Sequence, residues 1–153
     1  MNITKQIIID KAESSQGESP YMYNLRYRIG QYILSIAVGE GNYCSPRELL
    51  GDVSEYTAVE VGIIDTRTRS RGIEQDKGMW CSRLMSLHGI EESFGDEVAR
   101  LCEGYGYDEG LGCSTVLPWV TWADVVRVAN RIQTTVDAAR KRNEWNEEMC
   151  EPF

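Results

Sequence analysis

Two apolar segments joined by a glycine turn constrain the fold of this chain most strongly. Residues 21–29, YMYNLRYRI, and residues 32–38, YILSIAV, are rich in aromatic and β-branched side chains, and Gly30 and Gln31 separate them. Such segments around a two-residue turn predict an antiparallel β-hairpin. Alternate residues of the second segment fall on opposite faces of a strand, and both faces are largely apolar. We therefore expect this strand to lie in the centre of a sheet.

Two further segments complete the predicted core. Residues 56–65, YTAVEVGIID, carry apolar side chains with a period of two and predict a third strand. Thr121 and Asp124 have the spacing of a helix capping box, and an apolar stripe at helical spacing follows, formed by Trp122, Val125, Ala129, Ile132, Val136 and Ala139. The sequence thus predicts a long C-terminal helix that Trp122 anchors on the sheet.

The first twenty residues divide into an apolar part and a polar part. Ile3, Ile7 and Ile8 predict a short helix, although residues 7–9 also suit a short strand. Residues 14–20, SSQGESP, are typical of a flexible connection, because Ser, Gly and Pro favour turns.

Residues 66–114 are expected to form a helical insertion. Within it, residues 76–103 predict helix, with one apolar set that includes Leu84 and Met85 and a second set that ends at Cys102.

The glycine-rich segment 104–112, GYGYDEGLG, breaks this helical pattern. A mobile loop is the simpler interpretation, and a tyrosine-lined ligand loop built on Tyr105 and Tyr107 is the alternative. The segment lacks the Lys-Ser/Thr ending of a phosphate-binding P-loop.

These segments predict an α+β fold in a single domain of residues 1–153. We expect a small antiparallel β-sheet of three to four strands, packed by the long C-terminal helix, with the helical insertion at residues 66–114. One helical layer covers only one face of such a sheet and leaves its edges unpaired. We therefore expect the chain to form a homo-oligomer.

The charge of the chain is acidic, with 16 Lys and Arg against 24 Asp and Glu and a formal net charge of −8. Nucleic-acid binding depends on cations that neutralise phosphates, so direct binding to nucleic acid is not expected. The acidity is concentrated in residues 76–120, with 3 basic and 8 acidic residues. A solvated face explains it most simply, and a mimic of a nucleic-acid backbone toward a basic protein is the alternative.

The positions of the cysteines and the histidine indicate whether the chain binds a metal and in which kind of cellular compartment it lies. The five cysteines lie 37, 21, 11 and 37 residues apart and His88 is the single histidine, a pattern unlike a zinc site. No metal and no cofactor are expected. The odd cysteine count and the lack of a secretory leader favour reduced thiols in a cytoplasm, and no apolar segment suggests a membrane span.

The stretch VGEGNYCSPR at residues 38–47 is the best candidate site. Ser45, Pro46 and Glu48 have the spacing of a second capping box, which predicts a short helix through Leu50. Backbone N–H groups at a helix N-terminus attract anions, and an arginine in that first turn suits a phosphate or a carboxylate. The candidate ligand- or partner-binding residues of this stretch are Asn42, Tyr43, Cys44, Ser45 and Arg47.

Cys44 is also a candidate nucleophile, because the helix N-terminus and Arg47 would both lower the pKa of its thiol. A general base is missing, since His88 lies in a different element among apolar residues. We therefore predict no catalytic residue in this chain.

Three short motifs resemble those of small phage-encoded accessory proteins of unassigned function. They are G-x-G-N-Y-C-S at residues 39–45, EV-x-x-x-D at residues 60–65 and W-x-T-x-x-x-V at residues 119–125. The resemblance covers residues 27–65 and 115–133, and the segment between them looks like an insertion that shorter relatives lack.

The resemblance implies a phage accessory protein that acts in the host cytoplasm. We expect a non-enzymatic binding protein that neutralises a host factor, by binding a host defence protein or by sequestering a nucleotide-type small molecule. The alternatives are a small enzyme acting on a nucleotide or protein substrate, and a minor phage structural or assembly protein.

Overall fold

The structure is a computed structural model that describes residues 2–16, 22–67, 84–106 and 116–142. Five strands form one antiparallel sheet in their order along the chain. They are β1 Glu13–Gln16, β2 Met22–Ile29, β3 Tyr32–Gly39, β4 Ala58–Asp65 and β5 Leu117–Thr121. The α+β class is confirmed, whereas the predicted three to four strands are too few.

The predicted hairpin is present as β2 and β3, and β3 lies in the centre of the sheet. Gly30 has φ of 58° in the turn, a conformation that glycine adopts without a steric penalty. The register starts with Ile29 opposite Tyr32 and continues to Met22 opposite Gly39.

The two strands that the sequence did not reveal are the edges of the sheet. β1 includes residues 14–16, which were predicted to be a flexible connection, and Ser14 lies opposite Leu25 of β2. Its polar residues give no apolar alternation, so main-chain pairing with β2 defines this strand. β5 contains Pro118, which weakens a strand signal and is tolerated at an edge.

The described residues form four α-helices and one 3-10 turn at Val53–Glu55. The helices are α1 Lys5–Lys11, α2 Leu87–Phe94, α3 Asp96–Gly104 and α4 Trp122–Lys141. The short N-terminal helix and the long C-terminal helix are confirmed. At the start of α4, the Thr121 side chain accepts a hydrogen bond from the Asp124 N–H, as the capping box predicts.

The predicted helix over residues 76–103 begins only at residue 87 in the described part. Leu84 forms a bridge with Ile64, and the Met85 N–H donates to the Ile63 carbonyl at 2.8 Å. These residues lie beside β4 where β5 no longer pairs with it, and Gly62 leaves room for the Leu84 side chain. A non-local pairing thus replaces the local helical tendency at Leu84 and Met85.

All four helices contribute to one hydrophobic core on one face of the sheet. Its completely buried side chains include Ile8, Leu34, Ile63, Ile90 and Ile132, each of which stabilises the fold by about 1.5–3 kcal/mol. As predicted, Trp122 anchors α4: its ring is buried and its Nε1–H donates to the Tyr56 carbonyl at 2.9 Å.

The opposite face of the sheet is mostly polar. Ile33, Ile64 and Leu84 form a small apolar cluster there. Beside it, Asn24 Nδ2 donates to Ser35 Oγ at 2.8 Å. Because Ile33, Ile64 and Leu84 are themselves buried, the described residues of this face expose little apolar surface. Self-association stays a prediction.

Within the described ranges, no helix combines the length and the apolar character needed to cross a bilayer.

Candidate functional site

The loop after β3 does not form the predicted helix. Ser45 instead pairs with Ala58 beyond the end of β3: its N–H donates to the Ala58 carbonyl at 2.9 Å, and its carbonyl accepts the Thr57 N–H at 2.8 Å. Main-chain pairing with β4 overrides the local capping signal at Ser45. The predicted short helix through Leu50 is therefore wrong, and the loop has no helix N-terminus of the kind on which the predicted anion site relied.

The backbone of Tyr43 forms hydrogen bonds to residues of both β4 and β5. Its N–H donates to Glu60 Oε2 at 2.8 Å, and its carbonyl accepts the Trp119 N–H at 3.0 Å. Both bonds use the backbone of Tyr43, so neither depends on its phenol ring.

A β-bulge in β5 places Trp119 next to Tyr43. The register shifts between residues 59 and 61 of β4, so that Glu60 lies opposite both Pro118 and Trp119. Trp119 has φ of 51°, a left-handed conformation that costs a non-glycine residue roughly 1–2 kcal/mol. Bulges of this kind redirect a side chain, and this one directs the Trp119 N–H away from β4 and toward Tyr43.

Tyr43, Trp119 and Arg47 form an exposed cluster, which we call the aromatic patch. The residues Tyr43 and Trp119 are 44% and 47% exposed. Their ring centroids are 5.1 Å apart with a tilt of 54°, and Arg47 Cζ lies 5.4 Å from the Tyr43 centroid. Only one other large apolar side chain among the described residues, Leu49, is this exposed.

Glu60 is the half-buried charge beneath the aromatic patch. Burial raises the pKa of its carboxyl, and the Tyr43 N–H and the charge of Arg47 offset this shift in part. Arg47 makes no ion pair with it, since the guanidinium lies on the Tyr43 ring. Among the described residues, the second carboxylate oxygen of Glu60 has no hydrogen-bond partner.

Cys44 supports the loop from inside and is 1% exposed. Its Sγ accepts the Gly39 N–H at 3.3 Å and lies 3.3 Å from the Gly39 and Pro46 carbonyls. Burial, above all, raises the pKa of the thiol, and the charge of Glu60 adds to this effect. The predicted net lowering of the thiol pKa is therefore wrong: the charge of Arg47 does lower this pKa, but desolvation outweighs it and no helix N-terminus faces the thiol.

The other loop candidates divide between structure and surface. Asn42 Nδ2 donates to the Val38 carbonyl at 2.8 Å, which closes the turn after β3. Asn42, Cys44 and Ser45 thus hold the loop, whereas Tyr43 and Arg47 face solvent.

Tyr105 does not join the aromatic patch. It follows α3, is half-buried, and its hydroxyl donates to Asp124 Oδ2. Neither a hydrogen bond nor a ring contact links it to Tyr43. Tyr107, the other tyrosine of the candidate ligand loop, lies outside the described residues.

His88 lies on α2, where its Nε2 is 3.0 Å from Glu92 Oε1 and both side chains are exposed. In the part of the chain that the structure describes, no three His, Cys, Asp or Glu side chains are grouped so as to hold a metal ion.

Comparison with protein-family profiles, with curated protein sequences and with solved structures finds no match to this chain. The resemblance to phage accessory proteins therefore stays a prediction, and the aromatic patch is interpreted from its own geometry.

Proposed function

We propose that this chain is a non-enzymatic binding protein, a phage accessory protein that neutralises a host factor in the host cytoplasm. The observation that carries the binding role is the exposed contact between the Tyr43 and Trp119 rings. Trp, Tyr and Arg are the residue types that most often dominate binding energy at protein interfaces, and the aromatic patch contains one of each. The phage setting and the host target are taken from the sequence resemblance.

The backbone supports the same conclusion. Trp119 keeps a bulky side chain in a left-handed conformation that a glycine would adopt more easily. Strain of this kind is concentrated at functional sites. A role for the indole in binding would explain why such a residue stands there.

The aromatic patch suits a protein partner better than a nucleotide. Its two rings already contact each other, so a base cannot be inserted between them, and Arg47 lies on the Tyr43 ring. A base could stack only on the outer face of Trp119. Two exposed aromatic rings in contact instead form an apolar surface of the kind that anchors protein interfaces.

An enzymatic role has less support, because its candidate nucleophile is inaccessible. Cys44 is buried with a raised pKa, and His88 is on α2 beside Glu92. An activated thiol needs the opposite environment, which is partial exposure beside a cation.

The test is capture of a partner from bacterial lysate by folded variants, with mass spectrometry of bound proteins and of small molecules released on heating. Tyr43→Ala, Arg47→Ala and Trp119→Ala should each weaken capture at least tenfold, about 1.4 kcal/mol. Arg100→Ala, an exposed arginine of α3, is the matched control for Arg47. Equal capture by all four variants and the wild type would refute the proposal.

A further inference from the structure

We infer that the partner presents a basic surface, and that one of its arginine or lysine side chains packs on the exposed face of Trp119 and pairs with Glu60. This inference rests on the proposed binding function and specifies the chemistry of the partner.

Glu60 is the first observation. One of its carboxylate oxygens accepts the Tyr43 N–H at 2.8 Å, and the other has no partner among the described residues. A half-buried carboxylate is costly unless it is paired and hydrogen-bonded. Arg47 leaves it unpaired, because that guanidinium lies on the Tyr43 ring. A cationic donor from outside the chain would satisfy the remaining oxygen.

Trp119 is the second observation. An indole face attracts a guanidinium or ammonium group more strongly than a phenol or phenyl ring does. Within the aromatic patch, Arg47 lies on Tyr43, and the indole stays 47% exposed. Glu60 and Trp119 lie opposite each other in the backbone ladder at the bulge, and both bond to Tyr43: the Glu60 carboxylate accepts its N–H and the Trp119 N–H donates to its carbonyl. We therefore expect one long cationic side chain to reach both.

The surrounding charge is the third observation. Along the chain, residues 40–60 hold five acidic residues, Glu40, Glu48, Asp52, Glu55 and Glu60, against the cation Arg47, and one further cation, Lys5 of α1, lies against this segment at the Ser54 carbonyl. Glu40 and Glu48 are exposed in the same loop as Tyr43. Such a field attracts a basic surface and repels phosphates and other acidic proteins, a second copy of this chain included.

The first experiment uses an acetylated and amidated tetra-arginine peptide as the probe. Its binding is followed by the ¹⁵N–¹H resonance of the Trp119 indole, which is assigned by its loss in Trp119→Phe. Matched probes are tetra-lysine, tetra-glutamate, ATP and a cyclic dinucleotide. Only the cationic peptides should shift the indole resonance, and raising salt from 50 to 500 mM should weaken their binding several-fold. A shift with ATP or the dinucleotide and none with tetra-arginine would overturn the inference.

Variants then test the acidic side chains. Glu60→Gln should weaken tetra-arginine binding several-fold, while Glu97→Gln, an exposed acid of α3, should leave it unchanged. The double variant E40Q/E48Q removes charge without touching the Tyr43–Glu60 hydrogen bond, and it should weaken binding as well. Unchanged affinity in both Glu60→Gln and E40Q/E48Q would overturn the inference.

The two proposals fail in different ways. If Trp119→Ala abolishes partner capture while salt and Glu60→Gln do not change it, the binding function stands and the basic partner is wrong. If Tyr43→Ala, Arg47→Ala and Trp119→Ala all leave capture intact, the aromatic patch is not the binding surface and both proposals fail.

Discussion

The half-buried charge of Glu60 lowers the stability of the folded protein at neutral pH, while its carboxylate holds the Tyr43 backbone in the exposed loop. Burial raises the pKa of its carboxyl above the ordinary value of 4.5. Folding therefore disfavours the charged form, and the protein loses stability as the pH rises through the folded pKa of this group. The compensating feature is a fixed acceptor for the Tyr43 N–H.

Glu60→Gln should raise the free energy of unfolding at pH 7, because the amide oxygen still accepts the Tyr43 N–H and no charge is desolvated. The advantage over the wild type should shrink as the pH falls toward 4.5, since the wild-type carboxyl then becomes protonated. Thermal unfolding of both proteins between pH 7 and pH 4 measures this difference. A variant that is less stable at pH 7 would show that Glu60 is stabilising as a carboxylate.

The β4–β5 bulge makes a distinct prediction about backbone strain. Trp119→Ala and Trp119→Gly both remove the indole, but only glycine adopts φ of 51° without a steric cost. Trp119→Gly should therefore be more stable than Trp119→Ala by about 1 kcal/mol. Urea unfolding of the two variants checks this prediction, and equal stabilities would mean that residue 119 is not strained.

The start of α4 allows packing and hydrogen bonding to be separated. Trp122→Ala should cost about 3–5 kcal/mol, as for other large aromatic side chains in a core. Trp122→Phe keeps much of the packing but leaves the Tyr56 carbonyl without its donor, a loss of about 1–3 kcal/mol. Chemical denaturation followed by circular dichroism gives both values. Wild-type-like unfolding of Trp122→Ala would show that α4 is not anchored there.

The sequence predicted the elements whose own residues carry a clear period. Strands β2, β3 and β4 alternate apolar side chains, and α4 combines a cap with a long apolar stripe. The sequence prediction failed where pairing with a distant strand decides the local conformation. Ser45 pairs with Ala58 instead of capping a helix, and Leu84 pairs with Ile64 instead of joining one.

The candidate site was predicted in part for the same reason. Tyr43 and Arg47 could be identified because they stand together in one glycine-rich loop. Trp119 and Glu60 could not, since they meet only through the register shift between β4 and β5. The sequence at the bulge shows only a Pro-Trp pair before a capped helix, which does not by itself indicate a register shift.

The sheet as a whole has one face covered by helices, one mostly polar face, and edge strands β1 and β5. Self-association is therefore expected to use an edge, because the described residues of the polar face expose little apolar area. The net charge of −8 opposes it, so added salt should strengthen it. Light scattering should give a mass above the 17.4 kDa of one chain. A mass of one chain at every micromolar concentration and salt would refute this expectation.

The main-chain support of Tyr43 has a consequence for how this protein could change over time. Its N–H and carbonyl fix the loop to β4 and β5, and every residue except proline can make these two bonds. A new side chain there would alter what is recognised and leave both backbone bonds in place. In a lineage whose binding partner changes, single substitutions at position 43 could therefore alter the contact while the backbone bonds that hold the loop stay the same.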